Sequence, residues 1–271
     1  MKKQLAKLAC ILFPERIVKY AYYQLTHPQV MKLRSFETEF IKKAELETFK
    51  FQDSDIQLYQ WGNGTKKLLA IHGWEGQAAN FTKVIEELLK KDFTVYAFDA
   101  PSHGLSSKGE TSLFEFIELV GVLIQKFNPE YLISHSFGAV ATTYSLSLAG
   151  SNNIKKYALF TAPDKFSERI DYVSNQVGMT NKVKNMLINK LEKEINMPVA
   201  PLNVSEFVKS LDTIQALIVH DVEDRVVDIA GAKAVQNNWP SSSLQEVKGT
   251  GHFRILMDEK VIGDVVDFLN D

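Results

Sequence analysis

The sequence predicts an α/β fold built on a mainly parallel sheet, and three observations carry that prediction. Short apolar runs alternate with longer stretches of helical apolar spacing from residue 67 to residue 270. The runs are nearly continuous in apolar residues, as strands buried on both faces must be. Ahead of them, residues 47–51 and 56–61 alternate about the turn-like Gln52-Asp53-Ser54 and read as a hairpin, which adds an antiparallel edge.

Taken in order, residues 67–72 read as a strand, 77–90 as a helix and 93–99 as a strand. A helix over 112–127 opens on Thr111 as its cap. Residues 131–135 are a strand, 137–149 a helix, and 156–160 and 216–220 strands. A helix over 228–238, a strand over 244–247 and a helix over 258–270 close the chain. With the hairpin this makes eight strands flanked by helices. One interval breaks the alternation. About 55 residues separate the strands ending near Phe160 and beginning near Ala216, where a crossover needs only a dozen or so. Residues 165–195 carry apolar stripes (Ile170, Val173, Val177; Val183, Met186, Leu187, Leu191) and then meet Pro198 and Pro201. The excess reads as a helical cap, residues 163–213, inserted after the sixth strand of a domain spanning 46–271.

Residues 1–45 read as a helical arm. Ile17, Tyr20, Ala21 and Leu25 have helical spacing, and Pro14 suits a first helical turn. The first 34 residues carry seven lysines and arginines against Glu15 alone, a net charge of +6, whereas the whole chain is at -2. The arm packs on the body with its lysines solvated, or it lies on a membrane surface as a basic amphipathic segment. The apolar run Leu8 to Phe13 is too short for a secretory h-region and is cut by Pro14, so a cytoplasmic protein is expected.

Composition excludes several classes. Of 271 residues, 45% are hydrophobic and 24% charged, the balance of a folded domain and not of a disordered chain. No global basic field favours nucleic acid. The single cysteine, Cys10, supports neither an intrachain disulfide nor a multi-cysteine metal site. The histidines lack metal-site spacing, and no phosphate-binding glycine motif is present, so neither a metal nor a cofactor is expected.

The chemistry sits at strand ends. Ser134-His135-Ser136-Phe137-Gly138 lies between an apolar strand and a helix rich in small residues. A sharp strand-to-helix turn of this kind lifts a serine clear of the sheet and aims a helix N-terminus at any developing anion. Downstream come His220-Asp221-Val222-Glu223-Asp224 and then Gly249-Thr250-Gly251-His252. Serine, acid and histidine follow in that order. Upstream, His72-Gly73-Trp74-Glu75-Gly76 and Asp99-Ala100-Pro101-Ser102-His103-Gly104 each follow a strand. Ser134 is the weaker serine because it belongs to the strand. Asp221 and Glu223 are the rivals of Asp224.

Over roughly residues 46–271 these five ordered motifs resemble the α/β-hydrolase fold superfamily. The likeness is greatest to its capped esterase and lysophospholipase-like members, or to serine aminopeptidase-type hydrolases. The resemblance implies Ser136 as nucleophile, His252 as general base and then acid, and Asp224 as the residue orienting the imidazole. It implies the backbone N–H groups of Trp74 and Phe137 as an oxyanion hole, and His72 and His103 as braces for the loops beside it. Serine stands at position 134 where the family usually has glycine, which predicts a slightly strained elbow, and Val226-Val227 replaces the common Val-Pro.

The implied activity is hydrolysis of a carboxylic ester or thioester of a small to medium hydrophobic acyl group, a carboxylesterase-like serine hydrolase reaction. Trp74, Phe166 and Tyr172 are the expected substrate contacts. Aminopeptidase-type hydrolysis is the alternative and needs an acidic cap residue, for which Glu168, Asp171 and Glu192 are available. A binding protein without turnover is the other, although such proteins usually lack a triad member. The expected partner is a small acyl substrate, with membrane contact through the arm as a further expectation.

Overall fold

The computed structural model describes residues 2–150 and 153–271. Its eight-stranded sheet has the order β1-β2-β4-β3-β5-β6-β7-β8, with β1 Glu45–Phe51, β2 Ser54–Trp61, β3 Lys66–Ile71, β4 Phe93–Phe98, β5 Tyr131–His135, β6 Lys156–Phe160, β7 Gln215–Asp221 and β8 Ser242–Val247. The β1–β2 hairpin and the β2–β4 pair are antiparallel, and every other pair is parallel. Side chains alternate between the two faces of the sheet. Leu69, Ile71, Leu132, Tyr157, Leu159, Ala216 and Ile218 enter one core. Leu68, Ala70, Ile133, Ala158, Phe160, Leu217 and Val219 enter the other. Two buried faces explain the unbroken apolar runs.

Among the described residues twelve α-helices flank the sheet. The first three, α1 Lys2–Leu12, α2 Pro14–Thr26 and α3 Ser35–Ile41, precede it, and α4 Thr82–Leu88 follows β3. The first core is covered by α5 Leu113–Phe127 and α6 Phe137–Ala149. Between β6 and β7 lie α7 Ser167–Val177, α8 Asn181–Ile195 and α9 Val204–Phe207. The sheet ends among α10 Ile229–Asn237, α11 Gly251–Arg254 and α12 Glu259–Asn270, the last packing with α4 on the second core. The β6–β7 interval is tied at its base, where Phe166 N–H donates to Leu202 at 3.0 Å and Val204 N–H to Asp164 at 2.7 Å.

Three local expectations are corrected. The helix expected over 77–90 is an α-helical core between two 3₁₀ turns, Ala78–Phe81 and Leu89–Lys91. Its first turn is held by loops, because Asn80 accepts from Gln77 N–H and Asp99 from Ala78 N–H. The cap of α5 is Ser112, whose hydroxyl accepts from Glu115 N–H at 3.0 Å, while Thr111 donates to the Glu115 carboxylate. In α2 the buried stripe is Val18, Ala21 and Leu25, which pack with α7 and α8, and Tyr20 stays exposed beside it. No helix of the described residues is long and apolar enough to cross a membrane.

Candidate active site

The strand ends of β3, β5 and β7 bring the motif residues to one edge of the sheet. At the β5–α6 turn Ser136 has φ 52° and ψ -121°, a left-handed conformation costly for any side chain. The strain therefore sits at Ser136 itself and not at Ser134. Gly138 makes the turn possible, since a Cβ there would stand 2.5 Å from the Ile71 carbonyl oxygen. Gly73 is needed for the same reason, because a Cβ there would lie 2.9 Å from the His135 carbonyl oxygen and 3.1 Å from Ser136 Cβ. The two loops thus touch backbone to backbone, and Trp74 follows directly.

Ser136 Oγ lies 3.1 Å from His252 Nε2, and His252 Nδ1 lies 2.8 Å from Asp224 Oδ2. Asp224 Oδ1 meanwhile accepts from the N–H groups of Val226 and Val227 at 2.7 and 3.1 Å. Burial pushes the Asp224 carboxyl pKa up. The hydrogen bond and charge of His252 and the two backbone donors outweigh it and hold the group below the usual carboxylate range. Among the described residues neither Trp74 N–H nor Phe137 N–H has a protein acceptor.

The rival residues are occupied elsewhere. Ser134 is buried, with Oγ 2.5 Å from the Tyr157 hydroxyl. Glu223 is exposed and pairs with Lys248. Asp221 does what the sequence did not disclose: one oxygen accepts from Glu223 N–H, and the other from Thr250 Oγ1 at 2.8 Å and Gly251 N–H at 2.6 Å. It ties the acid loop to the histidine loop, and the only hint was the threonine two residues before His252.

Four of the other five histidines brace backbone. His72 Nε2 accepts from Ala100 N–H, so its Nδ1–H donates to Gly73. His103 Nε2 accepts from Glu75 N–H, so its Nδ1–H donates to Pro101. His135 Nε2 donates to the His252 carbonyl at 2.8 Å, and His220 Nε2 to Val227. Asp99, which opens the Asp99–Gly104 motif and has no role legible in the sequence, joins three segments by accepting from Tyr59, Ala78 and Leu105.

Burial lowers the pKa of His72, His103, His135 and His220, that of His135 to about 3. The unfolded chain protonates these rings near their ordinary value of ~6.5, and the folded chain does so only at lower pH. The unfolded state therefore binds more protons below that value, and stability falls as pH drops. Thermal melts from pH 7.5 to 4.5 should show Tm decreasing steadily below about pH 6.5. A flat profile there would contradict neutral, buried imidazoles.

A cavity of about 370 Å³ opens over Ser136 and His252, within the usual size of small-molecule sites. Trp74, Phe166 and Tyr172 all line it, with Phe137, Val140, Val227 and Leu256. One wall was not foreseen. Met31, Lys32, Arg34 and Glu37 belong to the arm, so the N-terminal segment contributes to the pocket. Gln77 Nε2 donates to the Met31 carbonyl, and Arg34 pairs with Glu37 at 2.5 Å. Among the described residues no group of three or more His, Cys, Asp or Glu is arranged to hold a metal ion.

Comparison with known proteins supplies the wider frame. The model of the alpha/beta hydrolase family matches residues 68–265. A Drosophila melanogaster protein named "Probable serine hydrolase" is 30% identical over 95 residues, which are 32% of this chain and 28% of that protein, so the match spans under a third of the relative's length. Three solved structures share the fold. The esterase Pf2001 of Pyrococcus furiosus has a TM-score of 0.64 at 19% identity, covering 91% of this chain and 97% of its own. A thioesterase domain from the curacin biosynthetic pathway has a TM-score of 0.61 at 16% identity, covering 84% and 99%. A bromoperoxidase from Bacillus anthracis has a TM-score of 0.65 at 15% identity, covering 84% and 100%.

Proposed function

The chain belongs to the alpha/beta hydrolase family, and from that premise we propose that it is a serine hydrolase acting on carboxylic esters or thioesters of small to medium hydrophobic acyl groups. The observation that carries the proposal is the unbroken relay from Ser136 Oγ through His252 to Asp224 at the floor of an apolar cavity.

His252 Nε2 takes the Ser136 proton as Oγ attacks the acyl carbon, and Asp224 stabilises the imidazolium that forms. The carbonyl oxygen becomes an oxyanion between the N–H groups of Trp74 and Phe137, donors of a kind worth ~2.7–4 kcal/mol each. Collapse breaks the bond to the leaving group, which takes the proton from His252 and departs as alcohol or thiol. Water then enters, gives a proton to His252 and attacks the acyl carbon. The second tetrahedral intermediate releases the carboxylic acid as the proton returns to Ser136.

The acids available for an aminopeptidase are poorly placed to hold a substrate ammonium. Asp171 pairs with Lys184 at 2.9 Å, and Glu192 accepts from Val199 N–H. Of these three only Glu168 lines the cavity, and burial raises its pKa, which weakens it as a fixed anion. The aromatic wall of Trp74, Phe137 and Phe166 favours an acyl chain instead. A nitrophenyl ester series should show kcat/KM rising severalfold per methylene pair through short and medium chains, then levelling off as the cavity fills. Preference for an unblocked aminoacyl substrate over these esters would favour the aminopeptidase reading.

A further inference from the structure

We propose that the cavity mouth, extended by the N-terminal arm, is a docking surface for an anionic lipid bilayer. Exposed large apolar side chains on a folded protein are usually scattered singly. Here Met31, Tyr172, Val226 and Phe253 all border one opening, from four separate segments of the chain. Met31 is 81% exposed and Phe253 68%. Met31 is held there by backbone, through the Gln77 hydrogen bond to its carbonyl.

Cations are interleaved with this rim. Lys32 and Arg254 border the mouth, are exposed and form no ion pair with a carboxylate among the described residues, while the exposed Lys165 lies beside Glu168, whose carboxylate accepts from its backbone N–H. The three carboxylates there are each faced by a cation, Glu37 by Arg34, Glu75 by Arg169 and Glu168 by Lys165, which leaves Lys32 and Arg254 in excess. The mouth thus presents apolar groups with surplus positive charge.

The arm adjoins this mouth through α2. Tyr20 and Gln24 of α2 share a crevice with Glu75, Arg169 and Tyr172, which also line the main cavity. Val18, Ala21 and Leu25 bind α2 to the body, whereas Ile11, at 73% exposure, Leu12 and Phe13 lie bare at the α1–α2 junction. The first 34 residues hold the +6 already noted. Apolar side chains able to enter the acyl boundary, set among lysines and arginines, complement an anionic bilayer. A second copy fits less well, because two-fold pairing would set the same cations against one another. Docking is independent of turnover. Its consequence, that the substrate is a lipid ester drawn from the bilayer, rests on the ester-hydrolase reading above.

Flotation of the full chain, wild type and Ser136→Ala alike, with phosphatidylcholine vesicles with and without phosphatidylglycerol tests the inference. Both proteins should partition at least about tenfold more onto the anionic vesicles, since each basic residue near such a surface multiplies binding about fivefold. The preference should collapse in 1 M salt, where charges are screened within about 3 Å. The double substitution Ile11→Ser with Phe13→Ser should cut partition severalfold and leave hydrolysis of a short water-soluble ester unchanged. Lys165→Glu with Arg254→Glu should abolish the anionic preference even if the arm variant folds poorly. Equal partition onto both vesicles, or none, overturns the inference. So does a salt-sensitive dimer in sedimentation velocity that these substitutions dissolve, for then the surface pairs copies. Flotation without serine-dependent turnover keeps docking and removes the ester reading; turnover without flotation does the reverse.

Discussion

Replacing Ser136 with alanine should lower kcat by about 10⁵–10⁶-fold and abolish labelling by a phosphonate serine probe, with the fold intact. The size of the loss follows from the relay acting as a unit. Without Oγ there is no acyl-enzyme, and His252 has only water to activate at a position shaped for covalent attack. On the proposed mechanism the residual rate comes from the Trp74 and Phe137 donors and from binding. The loss is not a folding effect. Among the described residues Ser136 Oγ makes one hydrogen bond, to His252, and the left-handed backbone at this position is as costly for alanine as for serine. Melting curves of the two proteins should therefore overlay within the effect of an ordinary mild substitution, ~0.5 kcal/mol. Persistent labelling of Ser136→Ala would place the nucleophile elsewhere. Ser134 is a poor second, being buried against Tyr157.

The sheet was legible because its signal is local. An apolar run closed by a turn reads the same before and after folding, and β3, β5, β6 and β7 fall within a residue of their expected bounds. The motif residues were legible for a related reason. A turn as tight as that at Ser136 needs Gly138 and small neighbours, so the demand is written beside the residue it serves. What escaped was non-local. Asp221 looked like a rival of Asp224 because the two differ only in what lies across from them, Thr250 and Gly251 in one case and His252 in the other. Met31, Arg34 and Glu37 reach the cavity only because α2 packs with α7 and α8 and the chain then crosses to Gln77, a path no sequence period encodes.

Changing Asp224 to asparagine should cost about 10⁴-fold in kcat with little change in KM, although the two side chains are nearly the same shape. The reason lies in the two oxygens. Oδ1 is fixed by the N–H groups of Val226 and Val227, which only an oxygen can accept, so an asparagine must turn its amide nitrogen toward His252. That nitrogen can only donate. His252 Nδ1 becomes the acceptor and the ring proton moves to Nε2, the atom facing Ser136. The base then meets the serine hydroxyl with a proton already in place and cannot take another without forming an unpaired imidazolium. Histidine ¹⁵N spectra should show the His252 proton on Nδ1 in the wild type and on Nε2 in Asp224→Asn. Asp224→Ala frees the ring from this wrong tautomer and should lose no more activity than the asparagine variant. Near-normal turnover by Asp224→Asn would mean that another carboxylate orients His252. Asp221 could do so only by releasing Thr250 and Gly251, and with them the link between the two loops.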